Sequence, residues 1–213
     1  IRDRSRSLFP LLTIIITVTL VIFGIGFMEG AMNNFLQSTA VISSGHVKVV
    51  TKAYEKESSQ LPNDLALFET NKIIQNLSDL YPNYFWTPRI TFGGLLDTPN
   101  EDGDTKEQGP VFGIGIDFHS KTSRQIEIWE LEKYLLHGNL PKNTNDALIS
   151  TKLAKQLSVN VGSTVTLIST TMDNAFTTYN FEITGIFNLN KGQVDRQMML
   201  VDISGARQAL GME

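Results

Sequence analysis

Histidine is the first residue type to consider for chemistry in this chain, because an imidazole can bind a metal ion or transfer a proton near neutral pH. The sequence contains His46, His119 and His137. A short metal-binding motif places a second ligand about three or four residues from the first, and none of these histidines has one. The chain also has no cysteine. The sequence therefore predicts no metal site.

A nucleophile beside a base is the other arrangement to look for, and Ser43, Ser44 and His46 come nearest to it. A serine hydrolase needs nucleophile, base and orienting acid together in space, and the G-x-S-x-G turn that often presents the serine is absent. We interpret these residues as a helix end leading into a strand. The G-x-x-x-x-G-K-[ST] phosphate loop is also absent, so we predict no catalytic residue, no bound cofactor and no enzyme activity in this chain.

Two further patterns have a plain structural explanation. The acidic segment Asp97–Asp104 lacks the spacing and the final glutamate of a calcium-binding EF-hand loop, so we interpret it as a solvated hairpin loop. Gly113 and Gly115 lie within a predicted strand and do not open a glycine-rich helix, so they do not indicate a dinucleotide site.

An apolar run without a charged residue extends from Leu8 to Phe27. This run decides where the rest of the chain lies relative to a membrane. As a helix it spans roughly 30 Å, the thickness of the bilayer's hydrocarbon core. We predict a transmembrane helix. A cleaved signal peptide is the alternative, but its apolar region is usually about 7–15 residues long.

The arginines set the orientation of this helix. Arg2, Arg4 and Arg6 precede it, and no lysine or arginine follows until Lys48. By the positive-inside rule the N-terminus is cytoplasmic, and the chain beyond about residue 28 is periplasmic or otherwise extracytoplasmic.

The outer end of the helix contains a small-x-x-x-small pair, Gly26 and Gly30, which allows two helices to approach closely. Apolar residues continue beyond it at helical spacing: Met28, Met32, Phe35, Leu36 and Ala40. This stripe predicts either a helix that rests on its own domain or a stalk that packs against other transmembrane helices.

The remaining sequence alternates between strand and helix patterns, which predicts an α+β (mixed α/β) domain. We expect residues 1–44 to form the basic N-terminus, membrane helix and stalk, and residues 45–213 to form the periplasmic core domain. The net charge of −4 falls mainly on the outer domain, which argues against nucleic-acid binding. Strands are predicted at 46–50, 84–96, 111–116, 146–150, 164–168, 176–187 and 198–201, and helices at 64–80, 151–157 and 204–210.

Taken in order, many segments resemble the first part of lipoprotein-releasing (LolC/LolE-like) permeases, members of the MacB/FtsX-like superfamily of ABC transporters. The segments are Gly26–Gly30, Ser44–Val49, Tyr54, Thr87–Ile90, Gly93–Leu96, Gly113–Asp117, Gly138, Ala147–Ser150, Leu153–Leu157, Val161–Gly162, Val165–Leu167 and Phe181–Phe187.

The resemblance implies a permease of the bacterial inner membrane whose outer domain has two lobes, one of them inserted, and whose further transmembrane helices follow residue 213. It implies a cytoplasmic ABC ATPase partner, which holds ATP and magnesium, and a second permease copy or paralogue. It also implies that ATP hydrolysis moves the outer domains, which transmit force to a lipoprotein or other periplasmic client. The alternative function is a single-pass, membrane-anchored periplasmic binding or sensor domain.

Overall fold

A computed structural model describes residues 4–39, 42, 45–100, 105–120, 123–189 and 196–212. The chain divides into two compact units, Ile1–Lys48 and Val49–Glu213. The first consists mainly of one long helix, and the second is a mixed α/β domain. The predicted fold class is therefore confirmed, whereas the inserted lobe and its boundaries stay a prediction.

Helix α1 runs from Arg4 to Thr39, and its apolar part, Leu8–Met32, is long enough to cross a membrane and is not buried anywhere in the chain. Two of its threonines form hydrogen bonds within the helix: the hydroxyl of Thr13 donates to the Phe9 carbonyl at 2.9 Å, and that of Thr17 to the Thr13 carbonyl at 2.8 Å. Such back-bonding makes threonine tolerable in lipid. The predicted helix end at Ser43 and Ser44 lies outside the described residues.

The predicted strand at 46–50 is wrong. None of these residues has strand structure, and Val47 and Val49 are exposed. Alternation of apolar and polar residues favours an extended chain, but a strand exists only where a neighbour supplies hydrogen bonds. None of the paired strands in the described part of the chain includes this segment.

The domain is built on one mixed sheet, which contains seven strands among the described residues. The strands lie in the order β3-β6-β4-β7-β2-β1-β5; β2 with β7 and β4 with β6 are parallel, and the other pairs are antiparallel. Their bounds are β1 Ile90–Pro99, β2 Thr105–Ile116, β3 Leu135–Gly138, β4 Asp146–Ser150, β5 Thr164–Thr170, β6 Phe176–Phe187 and β7 Met198–Asp202.

The sheet closes on itself because β5 pairs with both β1 and β6. Strand β6 can serve two neighbours since its first half pairs with β5 up to Glu182, and its second half then continues along β4. The register between β4 and β6 shifts at Ala147/Leu148, where Thr184 is an extra residue. A bulge bends a strand, which allows β6 to leave one neighbour and follow the other.

Two strands lead directly into helices whose caps are the final strand residues. Ser150 ends β4, and its hydroxyl accepts from the Leu153 amide at 3.2 Å at the start of α6, Thr151–Gln156. Asp202 ends β7, and its carboxylate accepts from the Ser204 amide at 2.9 Å at the start of α7, Ile203–Leu210. Both helices agree with the predictions at 151–157 and 204–210, and serine and aspartate are strong N-caps.

The core lies inside the closed sheet, where alternate strand residues meet the apolar faces of α6 and α7. Gly113 and Gly115 belong to this packing: a side chain at Gly113 would overlap the ring of Phe92, and one at Gly115 would lie 2.7 Å from Cβ of Ala206. Strand residues of the opposite parity are also buried, among them Ile114, Ile116, Leu148, Met198 and Leu200. The central strands are therefore covered on both faces.

The segment that precedes the sheet is irregular. It contains α2, Lys52–Glu57, two 3-10 turns at Ser58–Gln60 and Asn63–Leu65, and α3, Thr70–Leu80. The predicted helix start at Asp64 is wrong, because the chain makes a separate turn there and α3 begins after Glu69, which has a left-handed backbone. The polar stretch after residue 50 folds into α2 because the Thr51 hydroxyl accepts from the Tyr54 amide at 3.0 Å.

Strand β1 also begins later than predicted, at Ile90 instead of Tyr84. Pro88 has no amide hydrogen to donate to a neighbouring strand, so the pairing starts beyond it. At its other end β1 extends through Asp97 to Pro99 and pairs with β2 as a hairpin. The predicted loop is therefore shorter than Asp97–Asp104, and its residues 101–104 lie outside the described part.

Three short elements between β2 and β4 were not predicted: α4, Gln125–Ile128, α5, Leu131–Tyr134, and β3. Each has only four residues, too few for a periodic pattern to be visible in the sequence.

Closure of the sheet at β1 and β5 gives a direct stability test. A Cβ at Gly94 would lie 2.6 Å from the carbonyl oxygen of Ile168 in β5, whereas no described atom lies within 4 Å of a Cβ at Gly93. We expect Gly94→Ala to lower the free energy of unfolding by about 2 kcal/mol, because β5 must move away, and Gly93→Ala to change it by less than about 1 kcal/mol. Denaturant unfolding in detergent measures both, and equal effects would contradict the closure.

Candidate functional site

The membrane helix carries the first candidate surface. No described atom lies within 4 Å of the position that a Cβ would take at Gly24, Gly26 or Gly30. The small-residue face at Gly26 and Gly30 is thus free of internal contacts in the described chain. A backbone left accessible in this way is what another helix would need for close packing. Met28 and Met32 are exposed as well; the side chains of Phe35 and Leu36, and Ala40, lie outside the described part.

A second surface, here called the aromatic surface, consists of Tyr81 and Tyr84, which are exposed, and Trp86. Leu80 and Phe85, next to them in the sequence, and Phe68 are exposed as well. The rings of Tyr81, Tyr84 and Trp86 lie with centroids 6.0–6.5 Å apart. Large exposed apolar groups next to one another usually mark a contact surface.

Helix α3, which leads into this surface, buries none of its residues. Its apolar stripe, Ile73, Ile74, Leu77 and Leu80, is half-buried or exposed. The indole Nε1 of Trp86 is buried and has no hydrogen-bond partner among the described residues. A buried N–H group normally finds an acceptor, so Trp86 is an exception in this respect, while the exposed rings of Tyr81 and Tyr84 remain open to apolar contact.

A buried polar cluster lies where the chain enters the sheet. Gln125 is 1% exposed and Trp129 is 4% exposed. The guanidinium of Arg89 lies over the Trp129 ring, with Cζ 4.8 Å from the centroid. The amide of Gln125 is best oriented with its oxygen toward two donors, Nη2 of Arg89 at 2.7 Å and Nε1 of Trp129 at 3.0 Å. Arg89 and α4 are thereby joined by stacking and by a shared acceptor.

Burial lowers the pKa of the Arg89 guanidinium from 12.5 to about 10, because a charged group loses hydration there. The side chain still carries its charge at neutral pH. A partly desolvated cation needs nearby compensation, which the Gln125 oxygen and the indole face contribute. The cluster therefore depends on the planar guanidinium in particular.

A carboxylate is buried at the junction of β7 and α7. Asp202 is 1% exposed and accepts hydrogen bonds from the amides of Phe118 at 3.3 Å and Ser204 at 2.9 Å. Nε2 of His119, a residue whose side chain is 46% exposed, lies 3.6 Å from the same carboxylate. The contacts fix the chain after β2 to the start of α7, which is a structural role.

The remaining residues considered for chemistry do not form a site. His46 lies in a bend and His137 in the short strand β3, while Ser43 and Ser44 lie outside the described residues. Within the described ranges, no three acidic or histidine side chains gather in a geometry that could hold a metal ion. The absence of a catalytic site and of a cofactor stays a prediction.

Sequence reasoning overlooked the roles of Gln125, Trp129 and Asp202. An isolated glutamine or tryptophan carries no spacing signal, and Arg89 was noted only within the segment Thr87–Ile90 of the predicted strand 84–96. Asp202 had a usable signal, because an aspartate directly before a helix is a common N-cap.

Two comparisons of the sequence with known proteins gave the following results. The family described as the MacB-like periplasmic core domain matches residues 7–212, which include both the apolar helix and the closed sheet. A comparison with curated proteins gave no match.

Proposed function

Because the chain belongs to the MacB-like periplasmic core domain family, we propose that it acts in the release or export of lipoproteins. Family membership makes it a membrane-anchored part of an ABC-transporter permease with a periplasmic domain. The proposal adds the process and the client: the domain transmits ATP-driven motion to a lipoprotein or another periplasmic protein.

The observation that carries the proposal is the family match over nearly the whole chain, combined with an unburied apolar helix at its start. The helix supplies a membrane attachment, and the closed sheet supplies a body that can move as a unit. The resemblance to lipoprotein-releasing permeases supports the choice of client.

The energy source belongs to a partner. The family implies an ATPase and further permease copies in the assembly. ATP and magnesium would then be held by the cytoplasmic ATPase subunit, and the domain described above would contribute no cofactor site. The predicted orientation, based on Arg2, Arg4 and Arg6, places this ATPase on the side of the N-terminus; Arg2 and the side chains of Arg4 and Arg6 lie outside the described part.

Purification of the intact gene product from native membranes in a mild detergent tests the proposal. We expect mass spectrometry of the purified complex to identify an ABC ATPase in stoichiometric amount, and a lipid-modified protein to be enriched when ATP hydrolysis is blocked by vanadate. A matched preparation with ATP and no vanadate should contain less of that protein.

Each part of the proposal can fail separately. An ATPase without any enriched lipoprotein would contradict lipoprotein release and leave the transporter assembly standing. A single-pass protein that purifies without an ATPase would instead support the anchored binding or sensor domain.

A further inference from the structure

Residues 49–89 connect the membrane helix to the first strand of the sheet; besides the 3-10 turn Asn63–Leu65, which approaches β1, two side chains attach them near the start of that strand. Tyr54 is buried, and its hydroxyl lies 3.4 Å from that of Thr91 in β1. Arg89, the residue directly before β1, makes the second attachment. Between these two, α3 buries no residue.

The partners of Arg89 belong to a different part of the fold. Gln125 starts α4 and Trp129 is its C-cap. Both are buried, as is Leu131 in α5, but Trp129 and Leu131 do not belong to the core inside the closed sheet. The α4–α5 segment, Gln125–Tyr134, therefore contacts the start of β1 through the side chain of Arg89. It also has buried residues of its own.

The α4–α5 segment is also joined to the sheet at its far end. It leads directly into β3, and the Tyr134 carbonyl accepts from the Asn188 amide at 2.9 Å, just beyond β6. Glu130, between the two helices, has a left-handed backbone with φ 50°. The angle between the two short helices is therefore set by the backbone of one residue in an uncommon conformation.

We propose that Arg89 is a positioning residue that transmits displacement of the 49–89 segment to the α4–α5 segment, through its stack on Trp129 and its hydrogen bond to Gln125. The inference rests on the proposed function, because it requires motion that begins at the membrane. Transmission through this contact needs a flat, charged group: the guanidinium covers the indole and reaches the amide oxygen at once, which an ammonium group cannot do. Burial, which lowers the pKa of Arg89 to about 10 and leaves it charged, agrees with this requirement.

The test is hydrogen–deuterium exchange on the intact complex in nanodiscs, without nucleotide and with ATP plus vanadate. We expect exchange in residues 125–134 to differ between the two states in the wild type. In Arg89→Lys the difference should disappear, and protection of this segment should fall about 10-fold, the size expected when a charged hydrogen bond and a stack are weakened.

Two controls separate transmission from local stability. Arg124→Lys changes an exposed arginine that pairs with Glu127 beside the same helix, and it should keep the nucleotide-dependent difference. Trp129→Phe retains an aromatic face. It should therefore keep part of the nucleotide-dependent difference in exchange, even if protection of residues 125–134 falls. A merely structural Arg89 would lower protection equally in both states and leave the difference between them intact.

The outcomes distinguish this inference from the proposed function. Nucleotide-dependent exchange elsewhere in the chain but not in residues 125–134, or an unchanged difference in Arg89→Lys, would overturn the role of Arg89. No nucleotide-dependent change anywhere in the chain would contradict the proposed function itself.

Discussion

Replacing Gly30 by leucine is expected to remove most of the assembled permease complex from detergent extracts. Gly26 and Gly30 lie on one face of α1, and no described atom of this chain occupies the space beside them. Helices that meet at such a face approach backbone to backbone, so a leucine side chain would force them apart. Size-exclusion chromatography with quantification of the co-purifying ATPase measures the loss.

Gly24→Leu is the matched control. Gly24 is also open in this chain, and it lies about 200° around the helix from Gly26. The substitution adds the same volume and apolarity on a different face, so complex formation should remain normal. If Gly30→Leu assembles as well as Gly24→Leu, the glycine face does not pack against another helix.

Gly205→Ala is expected to lower the free energy of unfolding of the outer domain by about 3 kcal/mol, at the upper end of the range for overpacked sites. In an open helix the change from glycine to alanine would stabilise by about 1 kcal/mol. Here a Cβ would overlap the carbonyl oxygen of Thr144 and lie 3.4 Å from the ring of Phe181. Because a backbone carbonyl group cannot rotate away as a side chain can, α7 would have to shift out of the core.

Thermal unfolding of the detergent-solubilised protein checks this expectation, with a fall in Tm of roughly 6–12 °C for a domain of this size. Ser204→Ala in the same helix is the control, because Ser204 is exposed and its replacement should change stability by less than about 0.5 kcal/mol. A stabilising effect of Gly205→Ala would mean that α7 does not pack closely against Thr144.

Local sequence patterns were sufficient to predict the elements whose structure depends mainly on their own residues. The uncharged run from Leu8 predicted the membrane helix, since length and lack of charge alone decide whether a helix suits a bilayer. Strands β4 and β6 were predicted with their correct bounds, because one is a short apolar run before a capping serine and the other follows a clear turn. The ordered segments also indicated the family.

Features that depend on distant partners could not be predicted in this way. The segment at 46–50 alternates like a strand but does not form one, and Arg89 acquires its role only because Gln125 and Trp129 fold against it. Closure of the sheet likewise requires β6 to bend at Thr184 and meet both β4 and β5.

The sequence by itself thus determined the membrane helix, most strands and helices, and the family, because these follow from periodicity, charge and local capping. The tertiary structure decided which strands pair, which polar groups are buried together, and which apolar surfaces remain open. Those properties depend on contacts between residues far apart in the chain, and a one-dimensional pattern does not contain them.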